Sequence, residues 1–164
     1  MSSSNTTDVQ ATTTLSLKGK TALVTGAASG IAKRISEVFA DAGANVVITD
    51  LKAEDAQATA AEIAKKGVQT LGLAMNVTDE DAVEAAFRQT EEKLGAVDIL
   101  VSSAGIQIVA PIQDFKFSDW KKLIAVHLDG GFLTARAAVR QMIASGRGGS
   151  IIFMGSVHSK EASK

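Results

Sequence analysis

Five short apolar runs alternate along this chain with four longer amphipathic stretches, and this alternation limits the possible folds more than any other feature. The runs are apolar with few interruptions and rich in β-branched residues: Thr21–Thr25, Asn45–Thr49, Gln69–Met75, Val97–Ser102 and Ser150–Met154. A strand covered by helices on both faces has this composition, whereas a strand exposed on one face alternates. We therefore interpret the runs as five buried strands.

The amphipathic stretches between the strands have the length and period of helices. They cover Ile31–Ala42, Glu54–Lys66, Asp79–Leu94 and Ser118–Ser145, and a glycine follows each of the first three, at Gly43, Gly67 and Gly95. Glycine directly after a helix is a common stop signal. Strands that alternate with crossover helices form a parallel sheet with helices on both faces. The sequence thus predicts an α/β fold with a doubly wound parallel sheet.

Length and composition set the domain organisation. The chain has 164 residues, of which 46% are hydrophobic and 21% charged, and this is enough for one domain with a real core. Residues 1–14 are rich in Ser, Thr and Asn, with neither a basic start nor an apolar stretch. We expect these residues to form a disordered tail rather than a signal peptide, and residues 15–164 to form the domain.

Charge and residue usage exclude several kinds of function. The net charge is −1 and the basic residues are scattered, which disfavours nucleic acid as a partner. No apolar run reaches the roughly 20 residues that a membrane helix requires, so we expect no membrane association. The absence of cysteine excludes disulfides, thiolate catalysis and a cysteine-bound metal, and we expect no metal site. A cytoplasmic location fits this usage.

A glycine-rich turn joins the first strand to the first helix. Residues 25–32 read T-G-A-A-S-G-I-A. A diphosphate needs glycine at such a turn because a Cβ atom would hold the backbone too far away, and the helix start then offers unpaired N–H groups. The candidate cofactor-binding residues of this turn are Thr25, Gly26, Ser29, Gly30 and Ile31.

An acidic residue follows the turn at the spacing of a ribose ligand. Asp50 lies 20 residues after Gly30, at the end of the second strand. A carboxylate there accepts hydrogen bonds from ribose hydroxyls and repels the 2′-phosphate of NADP. The next residues, Leu51 and Lys52, include no arginine, and we interpret Lys33 and Lys52 as solvated charges. The turn and the acid together predict a Rossmann domain that binds NAD.

These residues resemble the short-chain dehydrogenase/reductase family, whose glycine motif has the form TGxxxGxG. Ala32 stands where the family has the third glycine, and residues 97–105 resemble its fourth strand and NNAG turn, with two serines in place of the asparagines. The resemblance places Ser103, Ala104 and Gly105 beside the cofactor. It also places Asn76 and Val77, which follow the third strand, beside the adenine ring.

A narrower resemblance concerns the substrate. Residues 105–115 and 155–158 look like those of the 3-hydroxybutyrate dehydrogenase subfamily. By that resemblance, Gln107 and His158 hold the carboxylate of a short hydroxy acid, and amide and imidazole N–H groups suit such an anion. Ser156 resembles the family serine that hydrogen-bonds the substrate oxygen. A hydrolase triad on Ser156 is improbable, because no G-x-S-x-G elbow surrounds it.

The sequence departs from the family at two catalytic positions. The family's general acid/base is a tyrosine about 13 residues after the serine, with a lysine four residues further on, and this sequence contains no tyrosine. We expect the sequence to be an N-terminal portion that binds NAD without turnover. His127 stands where the family has a catalytic asparagine, and it could hold the same water or be an ordinary helix histidine. The resemblance also implies a homotetramer.

Three alternatives remain beside an NAD-dependent hydroxy-acid dehydrogenase. The nearest is an NADPH-dependent 3-oxoacyl reductase of the same family, which Asp50 disfavours. The second is a non-catalytic nucleotide-binding module. A methyltransferase with a similar sheet is less favoured, because the motifs around Gly26 and Ala104 suit a dehydrogenase.

Overall fold

The computed structural model describes residues 15–156 and contains five strands and five α-helices. In chain order, the elements are β1 (Thr21–Thr25), α1 (Gly30–Asp41), β2 (Asn45–Asp50), α2 (Ala53–Ala64), β3 (Thr70–Ala74), α3 (Glu80–Leu94), β4 (Ile99–Ser102), α4 (Phe117–Ile124), α5 (Gly130–Ala144) and β5 (Ser150–Phe153). A short 3₁₀ turn over Ile112–Asp114 precedes α4. All five predicted strands are present, with ends that differ by at most two residues from the predicted ones.

The strands form one parallel sheet in the order β3-β2-β1-β4-β5. The chain therefore runs outward from β1 to β3 and then returns to the other side of β1 to form β4. The connections that follow β1 and β4 therefore run to opposite faces of the sheet and leave a crevice at the carboxyl edge, where ligands bind in open α/β sheets. The predicted doubly wound α/β class is confirmed.

Each face of the sheet carries its own hydrophobic core. On one face Val24, Val46 and Ile48 pack with apolar residues of α1 and α2. On the other face, Leu23, Val47 and Leu100 pack with residues of α3 and α5, including Phe87 and Ala138. Alternate strand residues point to opposite faces, so both sets must be apolar. These two cores fix the strand ends that form the site.

The single regular helix predicted over Ser118–Ser145 is wrong in one respect. The segment is helical, but a π-helical stretch over Ala125–Asp129 separates α4 from α5. The glycine that begins α5 explains why this region packs so closely: a Cβ on Gly130 would lie 2.7 Å from Cγ2 of Val77. Wide turns of this kind are frequent at functional sites, and this one contains His127.

No helix within residues 15–156 is long and apolar enough to cross a membrane. The predicted tail over residues 1–14 and the candidate residue His158 lie outside the described residues.

Candidate cofactor site

A cleft of about 300 Å³ opens at the carboxyl edge of the sheet, over the ends of β1 to β4. It lies at the point where the strand order reverses, as expected for a ligand site of this fold. The lining residues come from the turns that follow these four strands and from the π-helical segment. They are Gly26, Ser29, Asp50, Leu51, Met75, Asn76, Val77, Ser103, Ala104, Gly105, Ile106 and Val126. Eight of the eleven predicted cofactor residues are therefore on one surface.

The glycine-rich turn presents a helix start to this cleft. Gly26 and Gly30 have φ angles of +65° and +60°, in the left-handed region where a side chain is strained. At the start of α1, the Ser29 side chain makes no capping hydrogen bond, and the backbone N–H of Lys33 donates to the carbonyl of Ser29 at 3.2 Å. The N–H groups of residues 30–32 precede that bond and have no place in the helical ladder. This arrangement suits an anion such as a diphosphate.

Thr25 lies beneath the cleft and is not one of its lining residues. Its side chain is buried, and its hydroxyl oxygen accepts the backbone N–H groups of Ser103 and Ala104, each at 2.9 Å. The turn after β4 thereby sits against the turn after β1. A Cβ on Gly26 would lie only 3.0 Å from Cα of Ala104, so this contact requires glycine.

Asp50 joins the second strand to the glycine-rich turn. Its Oδ2 accepts the backbone N–H of Ala28 at 3.1 Å, and its Oδ1 accepts the backbone N–H of Leu51 at 2.8 Å. An ionised carboxylate has about four lone-pair sites, so each oxygen still has capacity for another donor. Asp50 is half-buried and lines the cleft. Its geometry suits a ligand that carries two hydroxyl donors.

Asn76 and Val77 lie together in the cleft wall after β3. The side-chain oxygen of Asn76 accepts both the backbone N–H of Thr78 at 3.1 Å and the Thr78 hydroxyl at 2.9 Å. These bonds use both lone pairs of the amide oxygen, so the amide NH₂ is the group left to bind a ligand.

His127 reaches from the π-helical segment to the turn after β4. Its Nε2 lies 2.9 Å from the carbonyl oxygen of Ile106, to which it donates in the tautomer that carries hydrogen on Nε2. A Cβ on Gly105 would lie 2.8 Å from Cε1 of the same ring. His127 therefore packs against the backbone that lines the cleft, which is the position of a residue that orients the turn.

The remaining predicted site residues lie further out. Ser156 is exposed and follows β5 at the same edge of the sheet, and Gln107 is exposed in the loop after β4, outside the lining of the cleft. Ile31 is 68% exposed and lines a separate shallow hollow on α1. Gly30 has open space beside its backbone, since a Cβ atom on it would meet nothing within 4 Å.

Four apolar lining residues were missed by the sequence analysis: Leu51, Met75, Ile106 and Val126. Three of them follow strand ends next to predicted site residues, and this adjacency is the only signal that could have found them. Val126 belongs to the π-helical segment, whose register no pattern in the sequence predicts.

The parallel sheet with flanking helices and a cleft at its carboxyl edge defines a Rossmann-type α/β protein. The family model described as short chain dehydrogenase matches residues 20–164. The chain belongs to the short-chain dehydrogenase family.

Known relatives share this part of the sequence. The D-threitol dehydrogenase of Mycolicibacterium smegmatis is 41% identical over 140 residues, which are 85% of this chain and 54% of that protein. A 3-oxoacyl-(acyl-carrier-protein) reductase of Aquifex aeolicus is 38% identical, with 87% and 58% covered. The chain spans little more than half the length of these relatives.

A solved structure of a gluconate 5-dehydrogenase from Burkholderia cenocepacia, in complex with NADP and tartrate, superimposes with a TM-score of 0.85 at 40% identity. The match covers 91% of this chain and 58% of that one.

Proposed function

We propose that this chain binds NAD in the cleft and forms the cofactor-binding half of an oxidoreductase that acts on a short hydroxy acid. The observation that carries the proposal is the joint placement of the Asp50 carboxylate and the start of α1 on one cleft. A carboxylate and a helix N-terminus are the two groups that a ribose and a diphosphate require, respectively. NAD, when bound, would accept a hydride from the substrate carbon.

The geometry of the turns fits the proposed cofactor. The open space outside Gly30 leaves room for a diphosphate against the helix start. The apolar side chains of Met75 and Val126 offer surface to flat rings, and the Asn76 amide adds a hydrogen-bond donor. We assign Thr25 and His127 to positioning, because both form hydrogen bonds with the backbone of the turn after β4.

For the substrate, we propose 3-hydroxybutyrate and its oxidation product acetoacetate. Ser156 follows β5 at the edge that carries the cleft, and Gln107 lies in the neighbouring loop. Together with His158, these residues would supply hydrogen-bond donors to the reacting oxygen and the carboxylate. The assignment of Gln107 and His158 rests on the resemblance of their sequence context.

A polyol or keto-sugar substrate is the second candidate. It is supported by the names of the relatives, which include a D-threitol dehydrogenase and a gluconate 5-dehydrogenase. The NADP in the latter structure and the similarity to a 3-oxoacyl reductase support the NADPH-dependent alternative. Asp50 favours NAD over that alternative because a carboxylate repels a 2′-phosphate.

The test has two stages. The 164-residue chain contains no tyrosine, so we expect it to bind NAD in calorimetry but to form no NADH with 3-hydroxybutyrate. Turnover by a preparation of verified mass would contradict the second expectation.

The substrate is tested in a full-length protein that contains this sequence. Gln107→Ala should lower kcat/KM for 3-hydroxybutyrate by roughly 10- to 150-fold, since a hydrogen bond to a charged group contributes about 1.5–3 kcal/mol. Oxidation of a neutral secondary alcohol of similar size is the control and should change little. Preference for D-threitol or gluconate over 3-hydroxybutyrate would support the second candidate instead.

A further inference from the structure

A second groove, of about 460 Å³, lies on the other side of Asp50 and shares Ser29 and Asp50 with the cofactor cleft. Residues of the glycine-rich turn, of the first turn of α1 and of one face of α2 line it: Ala28, Ser29, Lys33, Asp50, Asp55, Ala58, Thr59 and Glu62. The Thr59 hydroxyl donates to the carbonyl of Ala28 at 3.1 Å, which holds α2 against the turn. Because Asp50 lines both the cleft and the groove, this groove is space adjacent to any ligand held by that carboxylate.

Negatively charged side chains outnumber positively charged ones in this groove. Three carboxylates line it, and Lys33 is the one positively charged side chain among its described lining residues. The Lys33 Nζ donates to Oε2 of Glu62 at 2.6 Å. This hydrogen bond raises the pKa of Lys33 and lowers the pKa of Glu62 from their ordinary values, so both groups are charged at neutral pH.

We propose that the Lys33–Glu62 ion pair is a second determinant of cofactor choice, beside Asp50. Glu62 neutralises the cation that could otherwise bind the 2′-phosphate of NADP. The inference rests on the proposed function, because it requires the ribose to lie at Asp50. It identifies a specificity residue on α2 that does not line the main cleft.

Electrostatics sets the direction and size of the expected effect. A phosphate monoester carries a charge of about −2 at neutral pH, so it is attracted by a free ammonium and repelled by a free carboxylate. In a solvent-exposed groove at low ionic strength, changing one such charge should alter affinity by about fivefold. An exposed ion pair contributes little to stability, so breaking this one should leave the fold intact.

The chain offers a matched control. Lys66, which lies two residues after the end of α2, donates to Asp41 of α1 at 2.6 Å and forms a second ion pair. Its acid is 52% exposed, against 56% for Glu62. Asp41 ends α1, far along the helix from the turn that carries Ser29. Asp41→Asn therefore frees a lysine and changes net charge as Glu62→Gln does, but outside the groove.

The experiment measures the Kd of NAD and of NADP by calorimetry for the 164-residue chain and these variants at low ionic strength. Glu62→Gln should bind NADP about fivefold more tightly and NAD within about twofold of the unmodified chain, because only NADP carries the additional phosphate. Asp41→Asn should change neither constant. Unchanged NADP affinity in Glu62→Gln, or an equal gain in Asp41→Asn, would overturn the proposal.

Two further variants keep the outcome decisive. Lys33→Gln combined with Glu62→Gln should lose the gain in NADP affinity if the freed ammonium is responsible, whereas retention of the gain would overturn that role of Lys33. Glu62→Ala, which favours helix, repeats the test if Glu62→Gln fails to fold. If the unmodified chain binds NAD but Glu62 variants are unaltered, only this inference fails, whereas binding of neither dinucleotide overturns the proposed function as well.

Discussion

The hydroxyl oxygen of Thr25 accepts the backbone N–H of Ala104 at 2.9 Å, which joins the end of β1 to the turn after β4. These two strands lie on either side of the point where the strand order reverses. This buried side chain therefore adds a direct link between two walls of the cleft to the pairing of β1 with β4 in the sheet. The cleft is part of the packed structure rather than a gap between independent loops.

Thr25→Val tests this relationship. Valine keeps the shape of threonine but leaves two backbone N–H groups without an acceptor, at a cost of about 1–3 kcal/mol in the free energy of unfolding. We expect weaker NAD binding as well, because the turn after β4 loses its anchor. Thr25→Ser keeps the hydroxyl and is the control. Equal stability of the Val and Ser variants in urea denaturation would contradict the role given to this hydroxyl.

Gly30→Ala separates backbone strain from ligand access. Gly30 and Gly146 have φ angles of +60° and +67°, and a Cβ on either would meet nothing within 4 Å. Alanine at both positions should therefore lower the free energy of unfolding by a similar amount, about 1–2 kcal/mol. Gly146 precedes β5 and lies at the opposite edge of the sheet from the cleft. Only Gly30→Ala should weaken NAD binding, by tenfold or more, because its methyl group occupies the space assigned to the diphosphate. Equal NAD affinity in the two variants would mean that the diphosphate lies elsewhere.

His127→Ala tests whether this residue orients the turn after β4. The variant loses the hydrogen bond to the Ile106 carbonyl, and because that contact is exposed we expect a stability loss of only about 0.5–1 kcal/mol. The amides near Ile106 should exchange with solvent faster, since the turn loses a contact. His127→Asn serves as the polar control. Unchanged exchange in the Ala variant would assign His127 no positioning role and reopen its catalytic interpretation.

Much of the fold could be predicted because it follows from local patterns. Continuous apolar runs indicate strands covered on both faces, and glycines after the helices mark their ends, here with φ near +90° at Gly43 and Gly67. The glycine-rich turn and Asp50 could also be predicted, because both belong to one βαβ unit and the number of residues between them is a local pattern. The assignment of these residues to NAD stays a prediction.

What the sequence could not predict depends on contacts between distant residues. The π-helical segment is followed directly by Gly130, which packs closely against the distant residue Val77, and no helical period encodes this contact. Lys33 was interpreted as a solvated charge, yet it pairs with Glu62, 29 residues away on another helix. One local feature was missed as well: both lone pairs of the Asn76 oxygen accept from Thr78, two residues further on, in a turn that no sequence pattern predicted.

The central claim is that Asp50 selects NAD, and calorimetry of the 164-residue chain with NAD and NADP tests it most directly. We expect NAD to bind at least tenfold more tightly, a difference of about 1.4 kcal/mol. Asp50→Asn keeps an oxygen that can accept the Ala28 N–H but removes the negative charge. It should therefore reduce the preference for NAD over NADP, chiefly by increasing the affinity for NADP. Equal affinity of the unmodified chain for the two dinucleotides, or tighter binding of NADP, would contradict the account.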